Sequence, residues 1–190
     1  MLFRSTTGAA PVNARDRIGK GPWVNAKGVV VATSVDDLHS ANNKLSKVNS
    51  ISEKGEVISG RGDAVNFHDI LTGSGGDGRV DAAAAAKGDT TCGNWTLSGA
   101  GSAIVGHHDR TGLDDSAPAK SWNASHGTRG CDMASLKATG GGGLMYCFAA
   151  KQYIKPPPPV ALSEAISQPR VPWDATHDFI GAESFKPTRS

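Results

Sequence analysis

The sequence predicts an α+β domain built from short elements, and three observations predict it. Glycine 24 and proline 10 in 190 residues divide the chain into many turns and leave no room for long helices. Brief β-branched runs bounded by glycine, such as Gly28 to Thr33, Gly55 to Gly60 and Ser102 to Gly106, have the length and composition of strands. Two further segments, Val35 to Ala41 and Cys131 to Ala138, read as short helices. An apolar content of 38% suffices for one modest core, so residues 1–150 are expected to form one domain.

In chain order, Met1 to Thr7 reads as the remnant of a first strand, and Gly8-Ala9-Ala10-Pro11 as a turn. Asn13 to Gly21 is polar and charged, the pattern of a solvated turn. Trp23 reads as a core anchor whose indole N–H needs one partner. Gly28 to Thr33 reads as a buried strand. Ser34 can cap the helix that follows, with Asp36 and Asp37 placed to favour its amino-terminal dipole. Arg61-Gly62-Asp63 is an integrin-recognition tripeptide that matters only if displayed at a loop tip. Asn66 to Gly78 holds His68, Asp69 and Asp77 among glycines but lacks the ligand alternation of an EF-hand loop, and reads as a network of turns. Ala82 to Ala86 reads as a linker, because so short a helix is marginal alone. Gly112 to Lys120 is a polar loop, and Gly140 to Gly143 is a glycine turn into a last strand, Leu144 to Ala149. Beyond it, residues 151–190 read as a disordered tail, with Pro156 to Pro159 favouring extended chain and Trp173 and Phe179 as docking points.

Composition and motifs exclude several function classes. A net charge of +2 without a Lys/Arg run argues against nucleic acid. No apolar run of about 18 residues suggests a membrane span, and no signal peptide is visible. A Gly-x-Ser-x-Gly elbow, a phosphate-binding glycine loop and His-Glu-x-x-His are all absent, so the chain reads as non-enzymatic. His107, His108 and Asp109, with His126, form the best candidate metal cluster. Adjacent strand residues point to opposite faces, however, so His107 and His108 cannot share an ion without a bend, and structural hydrogen bonding is the plainer role. No Cys-x-x-Cys suggests structural zinc. Cys147, in an apolar strand, is expected to be a buried, inert thiol.

Cys92-Gly93-Asn94-Trp95, Gly106-His107-His108, Ser121-Trp122-Asn123, Gly130-Cys131 and Tyr146-Cys147-Phe148-Ala149 occur in a suggestive order. With Asn13 to Trp23 and Asn66 to Gly73 upstream, this chain resembles a bacterial secreted family of endostatin-like modules with the C-type-lectin-like fold, from about Leu2 to Ala150. The resemblance implies short, mostly antiparallel strands, long loops, and a last strand in the middle of the sheet. It pairs Cys92 with Cys131 and leaves Cys147 unpaired, its partner being a cysteine on an amino-terminal helix ahead of the present start; the chain thus reads as amino-terminally truncated. A Cys131–Cys147 bond, which would close a smaller loop, stays open as an alternative. Secretion or surface display is implied as well.

The function so implied is lectin-like carbohydrate binding, the alternative an adhesin for extracellular-matrix or host proteins, and the third a metal-dependent hydrolase using His107, His108 and Asp109. Sugar-binding relatives of that fold hold calcium with a proline-containing triplet and Trp-Asn-Asp. Here the second reads Trp122-Asn123-Ala124 and the first is missing, so no calcium or zinc cofactor is supported by a specific motif. Trp122, Asn123, His126 and Arg129 are the candidate ligand contacts, because aromatic and amide groups suit stacking and hydroxyl recognition, although Trp122 reads first as core.

Overall fold

Five aromatic side chains from distant parts of the chain meet at the core. Phe3 lies 4.8 Å from Trp122 between ring centroids, Trp23 lies 5.3 Å from Phe148, and Tyr146 packs edge-on to Trp122 at 5.2 Å. Ala14, Ile18, Val31, Ala32, Leu38 and Leu45 complete this cluster. Trp23 donates its indole N–H to the Ala149 carbonyl at 3.0 Å, so the anchor expected from sequence is buried with its polar atom satisfied. The structure, a computed structural model, describes residues 1–151; the expected tail lies outside the described residues but for Lys151.

The elements are short throughout. A 3-10 turn, Ala14–Asp16, precedes a two-stranded antiparallel sheet of β1 (Trp23–Val24) and β2 (Val30–Ala32). Helix α1 (Val35–Leu38) follows, capped by the Ser34 hydroxyl, which accepts from the Asp37 amide at 3.1 Å. Next come β3 (Asp69–Leu71), α2 (Ala82–Ala85), the helical turn α3 (Cys92–Trp95), β4 (Ile104–His107), β5 (His126–Gly127), α4 (Met133–Lys137) and β6 (Gly141–Met145). The larger sheet has the order β5-β4-β3-β6, antiparallel except for the β3–β6 pair. The chain is therefore mixed α+β with small sheets and few short helices.

Several expectations need correction. Ala82 to Ala85 is helical, not a linker, because the Asp81 side chain accepts from the Ala84 amide at 2.9 Å and supplies the start that an isolated alanine run lacks. Asn13 to Gly21 is no solvated turn, since Ala14 and Ile18 are wholly buried. Only Val31 and Ala32 are buried in the second strand, while Val29 and Val30 face solvent. Gly55 to Gly60 forms a single bridge, Val57 with Ile51, instead of a strand. Asn66 to Gly78 contains β3.

The glycine turn before the last strand is mostly strand. Gly140, at φ +102, makes the reversal, and Gly141 to Gly143 already belong to β6. β6 lies at one end of the sheet order, not in its middle; among the described residues, Met1 to Phe3 pair antiparallel with Tyr146 to Phe148 just past it, through the Leu2–Cys147 bridge and the backbone bonds on either side. Cys147 is exposed, because the alternation that turns Phe148 into the core turns its neighbour out.

Cys92 and Cys131 form a disulfide, as the resemblance implied, and it closes a loop of 39 positions. On a chain-entropy basis such closure stabilises by roughly 3–4 kcal/mol. Replacing both cysteines by serine should lower unfolding free energy by about that amount in a denaturant titration. Alkylation of the native protein without reductant should label Cys147 alone; labelling at Cys92 or Cys131 would contradict the pairing.

Candidate functional site

The β3–β4 register places Asp69 directly opposite His107, and β5 places His126 opposite Val105, two residues along β4 from His107. Period-two alternation therefore puts Asp69, His107 and His126 on one face of the sheet. His68, just before β3, stacks its ring on His107 with centroids 4.1 Å apart and planes 12° from parallel. Three imidazole Nε2 atoms converge on Asp69 Oδ1: His68 at 3.2 Å, His107 at 3.4 Å and His126 at 3.5 Å. Neither oxygen of the Asp69 carboxylate has a hydrogen-bond partner, and neither has His107 Nε2. His68, Asp69 and His107 are almost fully buried, whereas the His126 side chain is 39% exposed at the rim.

The electrostatics follow from this crowding. Burial pushes the Asp69 carboxyl up, but the imidazoles of His107 and His126 beside it, with the nearby charge of His126 and His68, outweigh burial and bring it down to about 2. His126 is raised by the Asp69 carboxylate against the opposing effect of its own burial.

Of the expected cluster, His107 and His126 join this group directly, and His108 and Asp109 do not. His108 turns to the other side of β4, its Nε2 facing the Ser59 carbonyl at 3.3 Å, as strand alternation requires. Asp109 stands behind His68, with Oδ1 3.5 Å from His68 Nδ1, while its oxygens accept from the Arg61 amide at 2.7 Å and the Thr111 amide at 3.1 Å. Burial raises the Asp109 carboxyl, and the His68 ring and the two amides overcome that and hold it well below the usual range. His68 and Asp69 were missed because they sat in a glycine-rich stretch read as turns. The recoverable signal was a buried strand starting on a histidine–aspartate pair.

The expected ligand contacts are not brought together either. Trp122 is buried and Arg129 is exposed elsewhere on the loop. Asn123, also buried, donates to the Gly75 carbonyl at 2.8 Å and so pins the glycine loop in place. Trp122 and Asn123 instead back a cleft of about 200 Å³ on the other side of the Ala119 to Asn123 segment, where Ser40, Asn43, Arg110 and Ser121 add polar groups. Arg110 is held there by Asn43 Oδ1 at 3.2 Å and by the Lys120 carbonyl. Gly106 permits this layout, because a β-carbon there would meet the Trp122 backbone. His39 also lines the cleft; its Nδ1 lies 2.7 Å from the Val35 carbonyl and its ring packs on Phe3 and Trp122.

No family model, curated protein or solved structure matches this chain.

Burial lowers the pKa of His39, the largest of its influences. A histidine lowered in the folded state contributes stability above its unfolded value near 6.5 and loses it as pH falls towards the folded value. His108, also lowered by burial, acts in the same sense, and His126 in the opposite one. Unfolding free energy should thus fall less between pH 7 and pH 5 in His39→Phe than in the unsubstituted protein. An unchanged slope in parallel denaturant titrations would refute the assignment.

Proposed function

We propose that this protein is a non-enzymatic, extracellular binding module that takes carbohydrate without calcium. The observation that carries the reading is the cleft of about 200 Å³ where Arg110, Asn43, Ser40 and Ser121 converge over the back of Trp122. Guanidinium, amide and hydroxyl groups are the donors and acceptors that hydroxyl-rich ligands need, and the volume is below the roughly 300–1,000 Å³ of sites for drug-sized molecules. It suits one sugar unit or the end of a chain. Its lining carries no carboxylate to bridge calcium and sugar, which agrees with the incomplete Trp122-Asn123-Ala124 triplet. Ser121 gives its hydroxyl hydrogen to Asn123 and Ser40 to the Asp37 carbonyl, so neither hydroxyl donates to an imidazole as an activated nucleophile would.

An exported setting is supported by the Cys92–Cys131 disulfide, which persists in oxidising compartments. Among the described residues no helix is long and apolar enough to cross a membrane. For the adhesin alternative, Arg61-Gly62-Asp63 does lie on an exposed turn. Asp63, however, is engaged by Lys47 at 2.6 Å and by the Gly60 amide at 2.8 Å, and an integrin-type contact would have to break both. The cleft is the better supported surface.

A glycan array should show a restricted set of bound sugars, with the same profile whether calcium is added or omitted. Arg110→Ala should weaken the best binder at least tenfold in titration calorimetry. Absence of any glycan signal, or binding indifferent to Arg110→Ala, would overturn the reading.

A further inference from the structure

The geometry points to a binding site for a divalent transition ion of the zinc class, built from His68 Nε2, His107 Nε2 and the Asp69 carboxylate, with His126 Nε2 as a fourth, solvent-facing ligand. It is separate from the sugar cleft and does not depend on it.

The spacing is the first argument. Zinc–nitrogen and zinc–oxygen bonds of ~2.0–2.2 Å at tetrahedral angles put neighbouring donor atoms ~3.3–3.6 Å apart. The three distances from Asp69 Oδ1 to the imidazole nitrogens are 3.2, 3.4 and 3.5 Å. The donor atoms of His68, Asp69 and His107 all lie within 4.8 Å of one another.

The second argument is the state of the rings. His107 Nδ1 faces the Ala119 carbonyl at 2.7 Å, His126 Nδ1 faces the Gly127 carbonyl at 3.1 Å, and His68 Nδ1 faces Asp109 Oδ1 at 3.5 Å. Hydrogen-bond acceptors at the Nδ1 atoms of His107 and His126 favour the proton there and leave those Nε2 lone pairs directed inward, the outer-shell pattern of ligating histidines, whereas His68 Nδ1 has only the nearby Asp109 carboxylate and no hydrogen bond. When the rings are neutral, inward lone pairs would confront an ionised carboxylate, an arrangement that repels unless protons or a metal cation lie between them. That both Asp69 oxygens and His107 Nε2 are buried without a hydrogen bond fits this account, since burial of unpartnered polar atoms is costly.

The donor set selects the ion. Imidazole with one carboxylate suits zinc, copper or nickel, whereas calcium and magnesium prefer shells made of oxygen. The trio is buried, with Asp69 and His107 on two paired strands and His68 just ahead of β3, but His126 reaches in from an exposed edge. Its ligand position can therefore pass to water or to an incoming donor, while the trio holds the ion.

The test uses the full chain, stripped of metal and dialysed against zinc alone, with the affinity read by competition against a chromophoric chelator. One zinc per chain with a dissociation constant in the micromolar range or tighter is expected. His107→Gln should abolish binding and His126→Ala should retain one equivalent at least tenfold more weakly. Asp109→Asn, which touches no metal but orients His68, should weaken zinc tenfold to a hundredfold. Near-ultraviolet circular dichroism identifies any variant that fails to fold, and the unsubstituted protein decides the case without one. No stoichiometric zinc in that protein, or equal affinity in folded His107→Gln, would overturn the proposal and leave the cluster as a network of buried charge.

Discussion

A carboxylate in the middle of a sheet is the constraint around which this fold is arranged. Asp69 pairs with His107 across β3 and β4 and with Gly141 across β3 and β6, so its side chain is fixed by two neighbouring strands at once. Isolated there, an ionised group would be expelled or neutralised. It is met instead by three imidazoles from separate segments, each with an oxygen at its far nitrogen. Glycine makes room for that convergence: a β-carbon at Gly140 would come within 2.8 Å of the His68 ring.

The Ala119 to Asn123 segment joins the charged cluster to the polar cleft. The Ala119 carbonyl fixes His107 on one side, and Trp122 and Asn123 back the cleft on the other. Asn123 reaches further, to Gly75, and Tyr146 donates its hydroxyl to the Trp122 carbonyl at 3.1 Å. The same short stretch of backbone thus borders both His107 and the wall of the cleft. Core, cluster and cleft share one stretch of backbone.

Local chemistry was readable in the sequence, and long-range pairing was not. Ser34 as a helix cap, Trp23 as a core anchor and the opposite facing of His107 and His108 all follow from side-chain chemistry or backbone period, and each is present. β3 was hidden because aspartate and glycine disfavour strands, and there tertiary pairing overrides propensity. The glycines of β6 misled for a related reason: Gly142 lies against the Phe67 ring, so its lack of a side chain serves close packing and not a turn. His126 was singled out both as a ligand contact and as a member of the candidate metal cluster, but its association with Asp69, 57 positions earlier, rests on strand order that no local pattern encodes. The outward face of Cys147 was readable from alternation along the last strand and was passed over for its apolar surroundings.

An ion held among the imidazoles and Asp69, as proposed, would carry a distinct coordination signature. X-ray absorption at the zinc edge on the zinc-loaded protein tests it most directly. The account predicts a first shell of nitrogen and oxygen at ~2.0–2.1 Å with multiple scattering from imidazole rings and no sulfur. Sulfur at ~2.3 Å would place the ion on Cys147 instead, and a first shell of oxygen alone would place it on the surface; either result would contradict the account.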